Sequence, residues 1–172
     1  LHKELERKGL IVPLDLCSVQ EKNGALQFVQ EWVTVDYELK HLPFELVKSA
    51  ALRTLYVLEI CNTYGFTLKD AKIENLFFDG CNPKLLDIGS ITYQETGGAW
   101  IAYKQFIEHF LLPLLVMSTG EVRYPGLVGV DGGSGIDLEL FRQHFRMKLM
   151  LKPKLWPVVW FLGSDSGKSD VS

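Results

Sequence analysis

Apolar residues recur at steps of three and four along two stretches of the chain, which is the spacing of an amphipathic helix. The first stretch covers residues 44–60 and predicts one long helix that Pro43 can begin and Gly65 can end. The second covers residues 100–117 and predicts a mostly buried helix that Pro113 can kink. Much of the chain is therefore expected to be helical.

Two hairpins are predicted from strand-like segments on either side of turn-rich residues. The first pairs residues 10–19 with residues 25–37. The second pairs residues 75–78 with residues 84–88 across the spacer 79–83. Together with the helices, these hairpins indicate an α+β fold.

The remaining segments are a charged helix over residues 1–9, a glycine-rich loop over residues 120–135 and a further helix over residues 137–151. The chain begins at a leucine and ends in the polar stretch 163–172, which is typical of a linker or tail. We therefore expect it to be part of a larger protein.

Composition and charge exclude several classes of protein. The chain has 172 residues, of which 47% are hydrophobic, so it is long and apolar enough to bury a core. Its net charge of −3 gives no indication of a basic surface for nucleic acid. Its three cysteines are an odd number with no C-x-x-C spacing, so neither a disulfide framework nor a zinc site is expected. We therefore predict reduced thiols and a cytoplasmic protein. The longest apolar runs have eight residues and contain proline, so no contact with a membrane is expected.

Candidate chemistry is concentrated in the second hairpin and the loop before it. Asp70 and Asn75 lie five residues apart on this loop, and Asp87 follows twelve residues later at the far end of the second strand. An antiparallel hairpin would return Asp87 to the side of Asn75, with Lys72 nearby. Oxygen ligands of this kind suit Mg²⁺, which keeps several waters and also takes phosphate oxygens. The alternative is that these side chains only cap turns.

The spacing resembles the catalytic half of the protein-kinase-like fold, in which H-R-D-x-x-x-x-N leads to D-F-G. The resemblance implies that Asp70 orients or deprotonates an acceptor hydroxyl and that Lys72 steadies the transferred phosphoryl group. Asn75 and Asp87 would bind magnesium and ATP, and Gly89 would supply backbone freedom after the metal ligand.

The implied fold is a mostly helical kinase C-lobe that contains this hairpin, together with a remnant N-lobe hairpin. Residues 1–40 would be the N-lobe remnant and hinge, 41–162 the C-lobe, and 163–172 the linker or tail. Several kinase motifs are missing from the chain: Leu68 and Lys69 replace His-Arg, Ile88 replaces the phenylalanine of D-F-G, and no glycine-rich lid, V-A-I-K or A-P-E occurs.

A second resemblance covers nearly the whole chain. It is carried by the segments 65–71, 75–80, 87–90, Trp100-x-x-Tyr103-x-Gln105-Phe106 and 109–114. These segments resemble the kinase-like N-terminal region of bacterial class I SAM-dependent methyltransferases related to nodulation proteins. The resemblance implies a downstream methyltransferase domain that alone binds SAM.

Two functions remain open from the sequence. In the first, the module binds Mg-ATP and transfers phosphate to a hydroxyl of a small molecule or sugar. In the second, it is an inactive kinase-like scaffold, a pseudokinase that docks substrate or the methyltransferase domain. Two glycine-containing segments, 131–135 and 163–169, are interpreted as loop and linker, and His109 is interpreted as a hydrogen-bonded core residue.

Overall fold

The computed structural model describes residues 1–22, 25–34, 37–95, 97–120, 135–144, 150 and 152–164. Within these residues the helices are α1 (His2–Arg7), α2 (Phe44–Thr63), α3 (Tyr103–Phe106), α4 (Leu112–Met117), α5 (Leu138–His144) and α6 (Trp156–Ser164). The strands are β1 (Leu14–Lys22), β2 (Ala25–Gln30), β3 (Phe66–Leu68), β4 (Leu76–Asp79), β5 (Asn82–Leu85) and β6 (Ile91–Tyr93). Short 3-10 turns cover Leu39–His41, Ile73–Asn75, Ile88–Ser90 and Pro153–Leu155. The mixture of helices with small antiparallel sheets confirms the expected α+β class.

The predicted helix and hairpin at the start of the chain are both present. Helix α1 stops where Gly9 adopts a left-handed backbone with a φ of +62°. Strands β1 and β2 then pair antiparallel, with Leu14 opposite Gln30. The sequence predicted that the second strand continues to residue 37, but β2 ends at Gln30. The Glu31 N–H still donates to the Pro13 carbonyl at 3.0 Å, just outside the paired strands.

Helix α2 confirms the long amphipathic helix that the sequence predicts. It follows Pro43 directly, and the chain leaves it through Gly65, whose φ is +76°. Its buried residues recur at steps of one, three and four and form one face: Val47, Ala50, Ala51, Thr54, Val57, Ile60 and Cys61. Burial raises the pKa of the Cys61 thiol to about 11, so this cysteine is protonated and unreactive at neutral pH.

The second hairpin is tighter than the sequence predicts. Strands β4 and β5 are joined by Gly80 and Cys81, and Gly80 has a φ of +58°. Pro83, which was assigned to the turn, lies in β5 opposite Phe78. Pro83 has no backbone N–H to donate, and on the partner strand the Phe78 N–H donates to the Tyr37 hydroxyl at 3.1 Å.

A parallel extension joins this hairpin to the start of the chain. The Leu85 N–H donates to the Leu10 carbonyl at 2.7 Å, and the Val12 N–H donates to the Leu85 carbonyl at 3.0 Å. A separate two-stranded sheet pairs β3 with β6, with Leu68 opposite Ile91. These pairings surround the loop between β3 and β4.

The predicted helix over residues 100–117 begins at Tyr103 and contains a π turn at Ile107–Leu111 between α3 and α4. In this turn the Leu112 N–H bonds to the Ile107 carbonyl, five residues back. The Glu108 carbonyl is thereby free to accept a bond of 2.8 Å from the Ile136 N–H. The kink expected at Pro113 therefore takes the form of a change in helical register just before it.

Two hydrophobic clusters meet along this helix. The first packs α1, α2 and the hairpin β4–β5 around Phe110, which is fully buried. The second packs Leu112 and Leu115 of α4 against Phe141 of α5 and Val159 of α6. Among the residues described, no helix is both long and apolar enough to cross a membrane.

Some predicted segments lie outside the described residues. They are most of the glycine-rich loop 120–135, including residues 131–134, and most of the polar tail 163–172. Helix α5 accounts for Leu138–His144 of the helix predicted over residues 137–151.

Candidate functional site

The predicted site loop runs between β3 and β4 and is anchored at its start by the sheet β3–β6. The Lys69 N–H donates to the Ser90 carbonyl at 2.8 Å, and the Ser90 N–H donates to the Asp87 carbonyl at 3.2 Å. Asp70 follows Lys69 directly. The beginning of the loop and the Asp87 segment therefore run side by side, although they are far apart in sequence.

The end of the loop contacts the same segment. The Asn75 carbonyl accepts bonds from the Leu86 N–H at 2.8 Å and from the Asp87 N–H at 3.4 Å. Two of the residues expected to bind magnesium, Asn75 and Asp87, are thus neighbours. Strand β5 ends at Leu85, so Asp87 lies two residues beyond the strand and not at its end as predicted.

The Asn75 side chain has an unsatisfied donor. Its Nδ2 atom is buried and has no hydrogen-bond partner among the described residues. A buried polar group without a partner costs about 1–3 kcal/mol. Such a group is satisfied when a ligand with acceptor oxygens, such as a phosphate, binds beside it.

The Asp87 carboxylate is exposed and has no hydrogen bond from any described side chain. A Cβ atom added at Gly89 would lie 3.0 Å from Asp87 Oδ1, which is closer than normal contact. Gly89 is not among the described glycines with positive φ. The sequence interpretation of Gly89 as a source of backbone freedom is therefore wrong: this glycine provides space for the Asp87 carboxylate.

Asp70 is contacted from helix α3. Gln105 Nε2 donates to Asp70 Oδ1 at 3.2 Å, and Gln105 Oε1 accepts from the Ala71 N–H at 2.9 Å. Just before the helix, the Trp100 indole N–H donates to the Leu68 carbonyl at 2.7 Å. The segment around Trp100 and Gln105 thus holds the first half of the loop.

The second half of the loop is held by the π turn. His109 is 4% exposed, and its Nδ1 atom lies 3.3 Å from Glu74 Oε2. Burial raises the pKa of the Glu74 carboxyl, but the hydrogen bond with His109, a backbone hydrogen bond and the charges of His109 and Lys72 outweigh it and lower the pKa. Lys72 itself is exposed. His109 is therefore a buried core residue, as expected, and its Nδ1 lies within ion-pair distance of Glu74.

Sequence reasoning missed the roles of Gln105, His109 and Glu74. The segment containing Trp100 and Gln105 stood out in the sequence only through a resemblance. The contacts of the helix with the loop depend on which helical face packs against the loop. The π turn at Ile107–Leu111 changes that face within the helix. In the described part of the chain, no three His, Cys, Asp or Glu side chains are grouped as a complete metal site.

A curated relative supports part of the sequence interpretation. An alignment of 126 residues is 35% identical and covers 70% of this chain and 26% of the relative. The chain is similar to the nodulation protein NoeA of Rhizobium meliloti (strain 1021). It spans about a quarter of the length of NoeA. No family model matches the chain, and no solved structure matches it.

The similarity to NoeA supports a relationship to nodulation proteins. The chemistry of the candidate site is inferred from the geometry of its residues. One further feature of that geometry lies on the hairpin β4–β5. A cleft of about 250 Å³ opens there, and its lining includes Glu31, Trp32, Phe77, Asp79 and Lys84. Ligand pockets usually have volumes of about 300–1,000 Å³, so this cleft suits part of a ligand.

Proposed function

We propose that the chain is a kinase-like module that binds Mg-ATP and transfers phosphate to a hydroxyl acceptor. The observation that carries this proposal is the pair of backbone hydrogen bonds from Leu86 and Asp87 to the Asn75 carbonyl. These bonds join the backbones of Asn75 and Asp87 at one end of the hairpin, and we infer that their side chains share one cation. The two residues would hold Mg²⁺, with phosphate oxygens and waters as its other ligands.

The surrounding residues support a phosphate ligand in particular. The buried Asn75 Nδ2 lacks an acceptor, which a phosphate oxygen would provide. Lys72 is exposed on the same loop and would place positive charge beside the transferred group. Catalysis of phosphoryl transfer depends mainly on positioning and on neutralising charge.

The cleft on the hairpin supports the nucleotide. Phe77 lines the cleft and lies two residues from Asn75, which corresponds to roughly 7 Å of extended chain. A nucleobase in the cleft would thus lie near the cation. Trp32, which is 92% exposed, offers an aromatic surface at the rim.

In this proposal Asp70 accepts the proton of the acceptor hydroxyl, which belongs to a small molecule or sugar. We propose that the module, like the matching quarter of NoeA, belongs to a longer protein. We assign it, within the cytoplasm, to a SAM-dependent methyltransferase whose separate domain binds SAM.

The second candidate is a catalytically inactive scaffold, and one set of contacts favours it. Trp100, Gln105 and His109 hold the loop through protein contacts alone. A loop of this kind keeps its shape without nucleotide and can dock a neighbouring domain.

ADP formation from Mg-ATP by the full-length protein separates the two candidates. General-base catalysis contributes about 10²–10⁴-fold, so Asp70→Asn should lower kcat by at least about 100-fold while the KM for Mg-ATP changes little. Glu59→Gln, which removes an exposed carboxylate on α2, is the control and should leave both constants unchanged. Absence of turnover in the parent protein would favour the scaffold.

A further inference from the structure

Gln105 uses both ends of its carboxamide on the candidate catalytic loop. The backbone N–H of Ala71 only donates hydrogen bonds, so the atom facing it at 2.9 Å must be the oxygen Oε1. The nitrogen Nε2 is then directed at Asp70 Oδ1, at 3.2 Å. The Ala71 bond therefore fixes the direction in which Gln105 donates.

The helix that carries Gln105 is itself fixed relative to the loop. The Trp100 indole is bonded to the Leu68 carbonyl, and Ala102 at the start of the helix is buried. The Phe106 N–H donates to the Ala102 carbonyl at 2.9 Å, which completes the first helical turn. Gln105 is half-buried between these anchors and the loop.

The Asp70 carboxylate is consequently asymmetric. Oδ1 receives the Gln105 amide, and no hydrogen bond to Oδ2 is found among the described residues. A carboxylate held at one oxygen and open at the other has a defined orientation, and its open oxygen can accept a proton from a ligand.

We propose that Gln105 is the positioning residue for Asp70 and that it directs Oδ2 toward the acceptor hydroxyl. This inference rests on the proposed function. In the step, the hydroxyl proton passes to Asp70 Oδ2 while the hydroxyl oxygen forms a bond to the γ-phosphorus of ATP. The bond between that phosphorus and the β–γ bridging oxygen breaks, and ADP leaves with the bonding electron pair.

Two substitutions separate positioning from simple support of the loop. Gln105→Glu keeps an oxygen that accepts from the Ala71 N–H but presents a carboxylate oxygen to Asp70, whereas Gln105→Met removes both bonds. Both variants should lower kcat for ADP formation at least about tenfold, with the KM for Mg-ATP within about twofold of the parent value. The matched control is Gln143→Met, which changes an exposed glutamine on α5 and should leave kcat unchanged. Parent-like kcat in Gln105→Glu would overturn the proposal.

A second readout requires no turnover. The side-chain NH₂ signals of Gln105, assigned by NMR in the protein without nucleotide, should shift on Asp70→Ala while those of Gln143 stay in place. Unchanged Gln105 signals would overturn the positioning role whether or not the protein turns over ATP. Shifted Gln105 signals in a parent protein that has no turnover would preserve the contact and refute the proposed function instead.

Discussion

His109 Nδ1 lies 3.3 Å from Glu74 Oε2 and links the π turn to the loop residue that precedes Asn75. Pro113, which follows the π turn, lacks the N–H that would bond to the carbonyl of His109 four residues back and so favours a break in the α-helical register there. The register of the helix before Pro113 therefore determines which side chain reaches Glu74.

The Glu74–His109 contact should make stability depend on pH in the acidic range. The folded protein holds the pKa of Glu74 below its ordinary value of 4.5, so Glu74 contributes stability above pH 4.5 and loses it as the pH falls through the folded-state pKa. Urea unfolding of the parent should show a steeper loss of unfolding free energy below pH 4.5 than Glu74→Gln shows. Equal pH dependence in the two proteins would contradict this role, and Glu59→Gln is the control.

Gly89→Ala should impair the candidate cation site more than the fold. The new Cβ would lie 3.0 Å from Asp87 Oδ1, so the exposed carboxylate would be displaced from its present position. We expect affinity for Mg-ATP, measured by fluorescence of a labelled nucleotide, to fall at least about fivefold, equivalent to about 1 kcal/mol.

Gly80→Ala is the matched comparison on the same hairpin. An added Cβ at Gly80 meets nothing within 4 Å, but the φ of +58° strains any L-residue by roughly 1–2 kcal/mol. This variant should lose stability while retaining nucleotide affinity. The explanation of Gly89 fails if the two variants lose affinity equally.

Phe110→Ala should be the more damaging of two apolar truncations. Phe110 is fully buried in the first cluster, and truncation of a buried phenylalanine costs about 3–5 kcal/mol. Ile101→Ala, at a residue that is 72% exposed, should change the unfolding free energy by less than about 0.5 kcal/mol. Chemical denaturation followed by circular dichroism tests both values, and similar losses would mean that Phe110 is not central to the core.

The fold was predictable where local patterns dominate. Helix α2 follows from apolar spacing between Pro43 and Gly65, and both hairpins follow from strand-like segments around turns. Two features of β4–β5 were not predictable: Pro83 lies in a strand although proline usually interrupts one, and the Phe78 N–H donates to Tyr37, which is distant in sequence. Long-range partners of this kind leave no periodic pattern.

The candidate site was predictable only at its endpoints. Antiparallel pairing correctly indicated that Asn75 and Asp87 lie together, since a hairpin returns the chain to its starting edge. Gln105 precedes the π turn, and its contacts depend on how the helix packs against the loop, whereas the position of His109 depends on a change of helical register. A period of 3.6 residues does not predict the face presented after a π turn.

Isothermal titration of Mg-ATP into the full-length protein, compared between the parent and Asp87→Ala, tests the central claim most directly. The expected result is binding at one site in the parent, a loss of at least about tenfold in affinity in Asp87→Ala, and unchanged affinity in Glu59→Gln. An absence of binding in the parent, or equal affinity in the parent and Asp87→Ala, would contradict a cation-held nucleotide at Asn75 and Asp87.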